Sequence, residues 1–210
     1  MSDQSAHWDA VYQSKKPGEV SWYRPHLDRS LAFVEHLGLA PAAGIIDVGA
    51  GASTFVDDLL DRGYTNLTVL DLAAAAIETS KQRLGSRAER VSWVVGDVTG
   101  AALLEAGYDF WHDRAVFHFL REPEARQRYV AQVRRALKPG GHILVATFGP
   151  QGPERCSGLD VVRYDAAGIH GEFGPDFERL DSLTEVHATP WGSEQQFVYC
   201  LCRVGTPSPT

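Results

Sequence analysis

Strand-like and helix-like segments alternate along most of this 210-residue chain, and that alternation restricts its fold more than any other feature. Apolar runs at 44–50, 67–72, 91–97, 108–115 and 142–149 read as strands. Segments 54–63, 73–85 and 123–141 read as helices. Phe55, Leu59 and Leu60 share one helical face, Gly63 and Gly85 supply stops, and Pro-Gly-Gly closes the last helix. Alternation of this kind implies a parallel sheet with helices on both faces. The rhythm breaks at the end. Strands at roughly 178–188 and 194–204 are separated only by "TPWGS", too short for a crossover, so they must run antiparallel. The predicted fold class is α/β: a Rossmann-like seven-stranded sheet, mostly parallel, with a C-terminal antiparallel β-hairpin and helices on both faces.

Length allows one well-buried domain, here 1–204, with 205–210 as a flexible tail. Within it, 1–40 forms a helical segment with helices near 5–15 and 26–38, and 41–204 forms the core. A short helix is expected around 165–172. No apolar run approaches the ~20 residues that span a bilayer, and "MSDQSAHWDA" lacks a secretory pattern. The three cysteines, Cys156, Cys200 and Cys202, do not make a disulfide framework, so a cytoplasmic location is expected. The net charge of −7 argues against nucleic acid as the main partner.

The stretch "GIIDVGAGAS" (44–53) runs a strand into a glycine-rich turn. Gly49 and Gly51 lack Cβ atoms, which allows a ligand to approach the backbone. A dinucleotide fingerprint needs a third glycine where Thr54 stands. Two further carboxylates follow at successive strand ends. Asp71, with Leu72 beside it, can accept the hydroxyl protons of a ribose. Asp97 can accept from an adenine amino group while the Val98 backbone faces a ring nitrogen. Each aspartate alone also reads as a helix cap.

Together "IIDVGAGAS", "LTVLDL", "VVGDVT", "YDFWHDRAVFHFL" and "LKPGGHILVATF" resemble the class I S-adenosylmethionine-dependent methyltransferases, in the right order over roughly 40–204. The resemblance implies S-adenosyl-L-methionine as cofactor, S-adenosyl-L-homocysteine as product, and no metal. It assigns Asp47, Gly49 and Gly51 to the cofactor, Asp71 to its ribose, and Asp97 with Val98 to its adenine. The family's usual third glycine is Ser53 here, which can cap the following helix.

A sulfonium methyl is already activated, so aligning the nucleophile and excluding water are the main requirements. In "HDRAVFHFL" (112–120), Asp113 or its backbone can bind the cofactor's ammonium. Arg114 can hold an anionic acceptor or the cofactor carboxylate, or else pair with Asp113 or Asp109. His118 can accept a proton, or can be a structural histidine on an apolar stretch. This segment is similar to thiopurine and other thiol methyltransferases, which implies a small, soft acceptor. In "HWDAVYQSKKPGEVSWYRP" (7–25), Trp8 and Tyr12 read as a pair pinning a helix to the core, and Trp22 and Tyr23 as a lid over cofactor and acceptor. That arrangement also resembles protein lysine methyltransferases, which makes a protein lysine the second acceptor class. In "GPERCSGLDVVRY" (152–164), Arg155, Cys156, Arg163 and Tyr164 are possible acceptor contacts, or part of a surface loop. The rivals from other classes are a nicotinamide-dependent oxidoreductase and a cofactor-binding sensor without catalysis.

Overall fold

The computed structural model describes residues 3–15 and 17–205. All of the expected tail except Gly205 lies outside them. Two helices, α1 (Asp3–Ser14) and α2 (Asp28–Leu37), precede the first strand. The core then runs β1 (Gly44–Val48), α3 (Phe55–Asp61), β2 (Asn66–Asp71), α4 (Ala74–Leu84), β3 (Val91–Val95), β4 (Tyr108–Arg114), α5 (Pro123–Ala136) and β5 (Leu137–Phe148). A two-residue ladder, β6 (Arg155–Cys156) with β7 (Leu159–Asp160), leads to α6 (Ala166–Phe173), β8 (Phe177–Ala188) and β9 (Glu194–Val204).

The seven-stranded sheet has the order β3-β2-β1-β4-β5-β9-β8. Strands β1 to β5 pair in parallel, and β9 is antiparallel to both β5 and β8, as the short "TPWGS" link requires. Chain progression reverses direction between β1 and β4, and a crevice opens at such a point, beyond the carboxyl ends of the strands.

Strand alternation feeds two cores, one on each face of the sheet. Ile45, Phe110 and Leu144 pack with Phe55 and Leu59 of α3 on one face. Ile46, Trp111 and Ile143 pack with Tyr129 and Val133 of α5 on the other. Strand β8 forms an edge, and its mostly exposed residues include Glu178, Arg179 and Asp181. Charged side chains of this kind discourage pairing with another sheet.

One expectation needs correction. The helix expected over 123–141 stops at Ala136, and Leu137–Gly141 already belong to β5. Pro139 stops the helix: it has no N–H to continue the ladder, and it pushes Lys138 before it out of the helical region. Leu137, one residue earlier, is already extended (φ −74°, ψ 142°) and pairs with Tyr108. Among the described residues, no helix is long and apolar enough to cross a membrane.

Candidate active site

A cavity opens over the carboxyl ends of β1 to β4 and is covered by α1 and the segment before α2. Its floor is the glycine turn after β1. Gly49 and Gly51 both have left-handed backbone, φ +59° and +55°, which favours glycine. The turn is braced from several sides. The Gly51 N–H donates to Asp71 Oδ2 at 2.7 Å, the Gly51 carbonyl accepts from Ser80 Oγ at 3.0 Å, and Arg83 holds the Ala52 and Ser53 carbonyls at 3.0 and 2.6 Å. Ser53 Oγ, in the third glycine's place, accepts the Phe55 N–H at 3.1 Å, while the cap position of α3 is Thr54 and not Ser53.

The space left by the missing Cβ atoms is used differently from expectation. A side chain on Gly49 would collide with Val116, and one on Gly51 with the Tyr12 hydroxyl. The glycines admit these two protein groups to the turn, and both groups also line the cavity.

Three carboxylates line the same cavity. Asp47 is buried, and its Oδ1 lies 2.6 Å from His112 Nδ1, while His112 Nε2 meets Ser30 Oγ at 2.8 Å. Among the described residues Asp47 Oδ2 has no partner. Asp71 is also buried; its Oδ1 accepts the Ala73 N–H at 2.8 Å. Burial pushes its carboxyl up to about 6, although the backbone bonds from Ala73 and Gly51 pull the other way. Asp97 is exposed, and its Oδ1 accepts both the Thr99 N–H and hydroxyl at 2.8 Å. It therefore caps the turn after β3 as well as facing the cavity. Leu72 and Val98 complete this side.

Arg114 lines the opposite side. It pairs with neither Asp113 nor Asp109. Its Nε donates to Tyr199 Oη at 3.2 Å and its Nη1 to the Trp22 carbonyl at 2.9 Å. Asp109 instead accepts from Lys138 and the Gly44 N–H, each at 2.7 Å. Trp22 and Tyr23 also line the cavity, as do Trp8 and Tyr12. Trp8 stands edge-on to Trp22 and to Phe119, with ring centroids 5.8 and 5.3 Å away. The pair expected only to pin a helix thus forms part of the cavity wall.

Four expected site residues lie elsewhere. Asp113 is fully buried: Oδ1 caps the Val116 and Phe117 N–H groups at 3.0 and 3.3 Å, and Oδ2 accepts from Tyr129 Oη at 2.6 Å. The turn is made by Ala115, with left-handed backbone at φ +70°, and it uses up the carboxylate expected to bind an ammonium. His118 is buried against Phe119 and Phe148, and its Nδ1 accepts the Phe148 N–H at 3.3 Å. Burial and then the Arg114 charge pull its pKa down to about 3, so the ring is neutral, and it does not line the cavity. Arg163 bonds the Gly152 carbonyl and Glu154 beside a separate surface groove. Tyr164 is buried against Phe117, with its hydroxyl on Glu172 at 3.2 Å. Of the 152–164 segment, Cys156 reaches the cavity, and Arg155 pairs with Asp160 at 2.7 Å. Burial raises the Cys156 thiol to about 12, so it stays protonated.

The donor set suits a cationic nucleoside. Carboxylates at three adjacent strand ends match positive charge and hydroxyl or amino donors, and the unpartnered Asp47 oxygen lacks such a partner. His112 lines the cavity beside Asp47 without any local spacing that marks it. Its signal lies in the pairing of β1 with β4, where Asp47 and His112 are register partners.

Comparison with known proteins agrees with this geometry. Residues 45–141 match the model of a family described as a methyltransferase domain. The chain is 26% identical over 144 residues to the eEF1A lysine and N-terminal methyltransferase of Bos taurus, covering 66% of this chain but 20% of that relative. It is 32% identical over 118 residues to a malonyl-[acyl-carrier protein] O-methyltransferase of a Paenibacillus strain, covering 54% of this chain and 41% of that one. The chain thus spans well under half the length of these two relatives. A solved structure concerned with conversion of a disulfide bond into a thioacetal group during echinomycin biosynthesis superimposes with a TM-score of 0.76 at 19% identity, covering 98% of this chain and 94% of the other.

Proposed function

We propose that the chain is a class I S-adenosylmethionine-dependent methyltransferase and that it moves a methyl group to a nucleophilic S, N or O atom of a small-molecule acceptor. The observation that carries this reading is the row of Asp47, Asp71 and Asp97 at the ends of β1, β2 and β3, beside the Gly49–Gly51 turn. The family match and the antiparallel β9 do not support the nicotinamide alternative.

When bound, S-adenosylmethionine supplies a methyl on a positively charged sulfur with a neutral leaving group. The residues present fit it. Each Asp71 oxygen takes one backbone N–H and retains acceptor capacity for a ribose hydroxyl. Asp97 Oδ2 serves an adenine amino group beside Val98, and the free Asp47 Oδ2 serves the methionine ammonium. His112 holds Asp47 in place. Trp8, Tyr12, Trp22 and Tyr23 roof the cavity and exclude water, which strengthens every electrostatic contact inside it. With His118 outside, orientation of the acceptor carries the rate, not a fixed base.

A protein lysine is the second reading, favoured by the name and 26% identity of the Bos taurus relative. Incubation with methyl-labelled cofactor and either a panel of small thiols, amines and hydroxyls or a lysate separates the two. Label in small molecules supports the first reading, and label confined to protein lysines overturns it.

A further inference from the structure

Charge in the cavity is divided between two sides. Asp47, Asp71 and Asp97 stand at the ends of β1, β2 and β3, the half of the sheet assigned to the cofactor. Arg24 and Arg114 line the other side. Arg114 ends β4 and is held by Tyr199 of β9 and by the Trp22 carbonyl before α2, with Glu185 of β8 behind Tyr199.

The holding network leaves positive charge uncompensated. Tyr199 Oη accepts from Arg114 Nε at 3.2 Å and donates to Glu185 Oε2 at 2.9 Å. Glu185 Oε1 takes Arg24 Nη2 at 2.6 Å, with Arg29 Nε 3.9 Å away. Both Glu185 oxygens are therefore engaged, with Arg24 and Arg29 at the carboxylate and Arg114 reaching it only through Tyr199. Arg114 itself bonds only neutral oxygens, those of Tyr199 and Trp22. Its Nη2 is buried and has no partner among the described residues. A charged N–H withdrawn from water without a partner is costly, and a guanidinium fork matches a carboxylate. The Phe197 ring lies 4.4 Å from Arg114 Cζ and helps hold the guanidinium against the cavity wall. Between the two poles the walls are aromatic, formed by Trp8, Trp22, Tyr23 and Phe119.

We propose that this side of the cavity receives the carboxylate of an aromatic methyl acceptor, anchored by the Arg114 and Arg24 guanidinium groups. The inference rests on the methyltransferase reading and narrows its acceptor class. The carboxylate is the handle; the methylated atom lies elsewhere on the acceptor, toward the cofactor half. A lysine ammonium entering here meets two arginines, so the same charges disfavour the second reading.

The test titrates benzoate, benzamide and benzylammonium into the 210-residue chain saturated with S-adenosylhomocysteine, with binding read by ligand-observed NMR. Benzoate is expected to bind about tenfold or more tighter than the other two. The paired change Arg24→Gln with Glu185→Gln keeps a neutral hydrogen-bonding pair. It should weaken benzoate about tenfold while leaving S-adenosylhomocysteine affinity within about twofold. Arg24→Met is the second variant if the paired change disturbs β8 and β9. Equal binding of the three compounds, preference for benzylammonium, or no benzoate binding overturns the proposal. So does loss of S-adenosylhomocysteine affinity with benzoate unaffected, which assigns the arginines to the cofactor's own carboxylate. Failure of the unaltered chain to bind S-adenosylhomocysteine is a separate result, against the methyltransferase reading. Benzoate titrated into the ligand-free chain then decides the anion site.

Discussion

His112 Nδ1 lies 2.6 Å from Asp47 Oδ1 across the adjacent strands β1 and β4, and its other ring nitrogen meets the Ser30 hydroxyl at 2.8 Å. The imidazole also packs on Phe55, with ring centroids 4.2 Å apart. His112→Phe keeps the ring and removes both polar contacts, leaving a buried carboxylate without its partner. A loss of about 3 kcal/mol in stability is expected, together with weaker S-adenosylhomocysteine binding. Thermal melting and calorimetry check the pair of effects, and unchanged values in both would show that the contact positions nothing.

Asp71 links cofactor binding to pH. Burial raises its carboxyl from 3.8 to about 6 in the folded chain. Between those values the folded state holds the extra proton, so this group adds stability as pH falls from 7 toward 4. The same protonation removes an acceptor for ribose hydroxyls. S-adenosylhomocysteine affinity should therefore fall roughly tenfold between pH 7 and pH 5 without an Asp71-driven drop in melting temperature. In Asp71→Asn that part of the pH dependence should vanish. Calorimetry at both pH values decides it.

Asp113, in β4, and His118, after it, are both engaged away from the cavity. Asp113→Ala removes two backbone caps and the Tyr129 contact, and should cost about 3 kcal/mol or more. Denaturant melts measure this, and the folded fraction should keep its cofactor affinity. His118→Leu replaces a neutral, buried ring with an apolar side chain of similar volume. Turnover in the labelled-methyl assay should stay within about threefold of the unaltered chain. A hundredfold loss, on the order expected for a removed general base, would return His118 to the chemistry.

Trp8 joins α1 to the cavity wall through Trp22 and Phe119. Trp22 contributes its ring to the wall and its carbonyl to Arg114. Trp8→Ala and Trp22→Ala should each speed S-adenosylhomocysteine release by about tenfold, read by stopped-flow fluorescence. Their stability losses should remain smaller than that of Asp113→Ala. Unchanged release with a large drop in melting temperature would reduce both residues to packing.

The sheet was legible in the sequence because its strands are short apolar runs with glycine or acidic ends, and because "TPWGS" permits one geometry only. Asp47, Asp71 and Asp97 were legible for the same reason: a strand end fixes which side of the sheet a residue serves. Residues after β4 were not. Left-handed backbone at Ala115 turns the chain so that Asp113 caps its own loop and His118 enters the core, and no spacing rule in "HDRAVFHFL" signals that turn. His112 was missed because its partner is 65 residues away and is brought close only by strand order. Trp8 and Tyr12 have a spacing that suits packing and cavity lining equally well, so periodicity could not separate the two.

The central claim is that the row of carboxylates beside the Gly49–Gly51 turn holds S-adenosylmethionine. Calorimetric titration of S-adenosylhomocysteine into the unaltered chain and into Asp71→Ala at pH 7.5 tests it most directly. The account expects one-to-one binding with a dissociation constant on the order of micromolar, weakened about tenfold or more by the substitution. Absence of binding to the unaltered chain, or equal affinity in a folded Asp71→Ala, would contradict it.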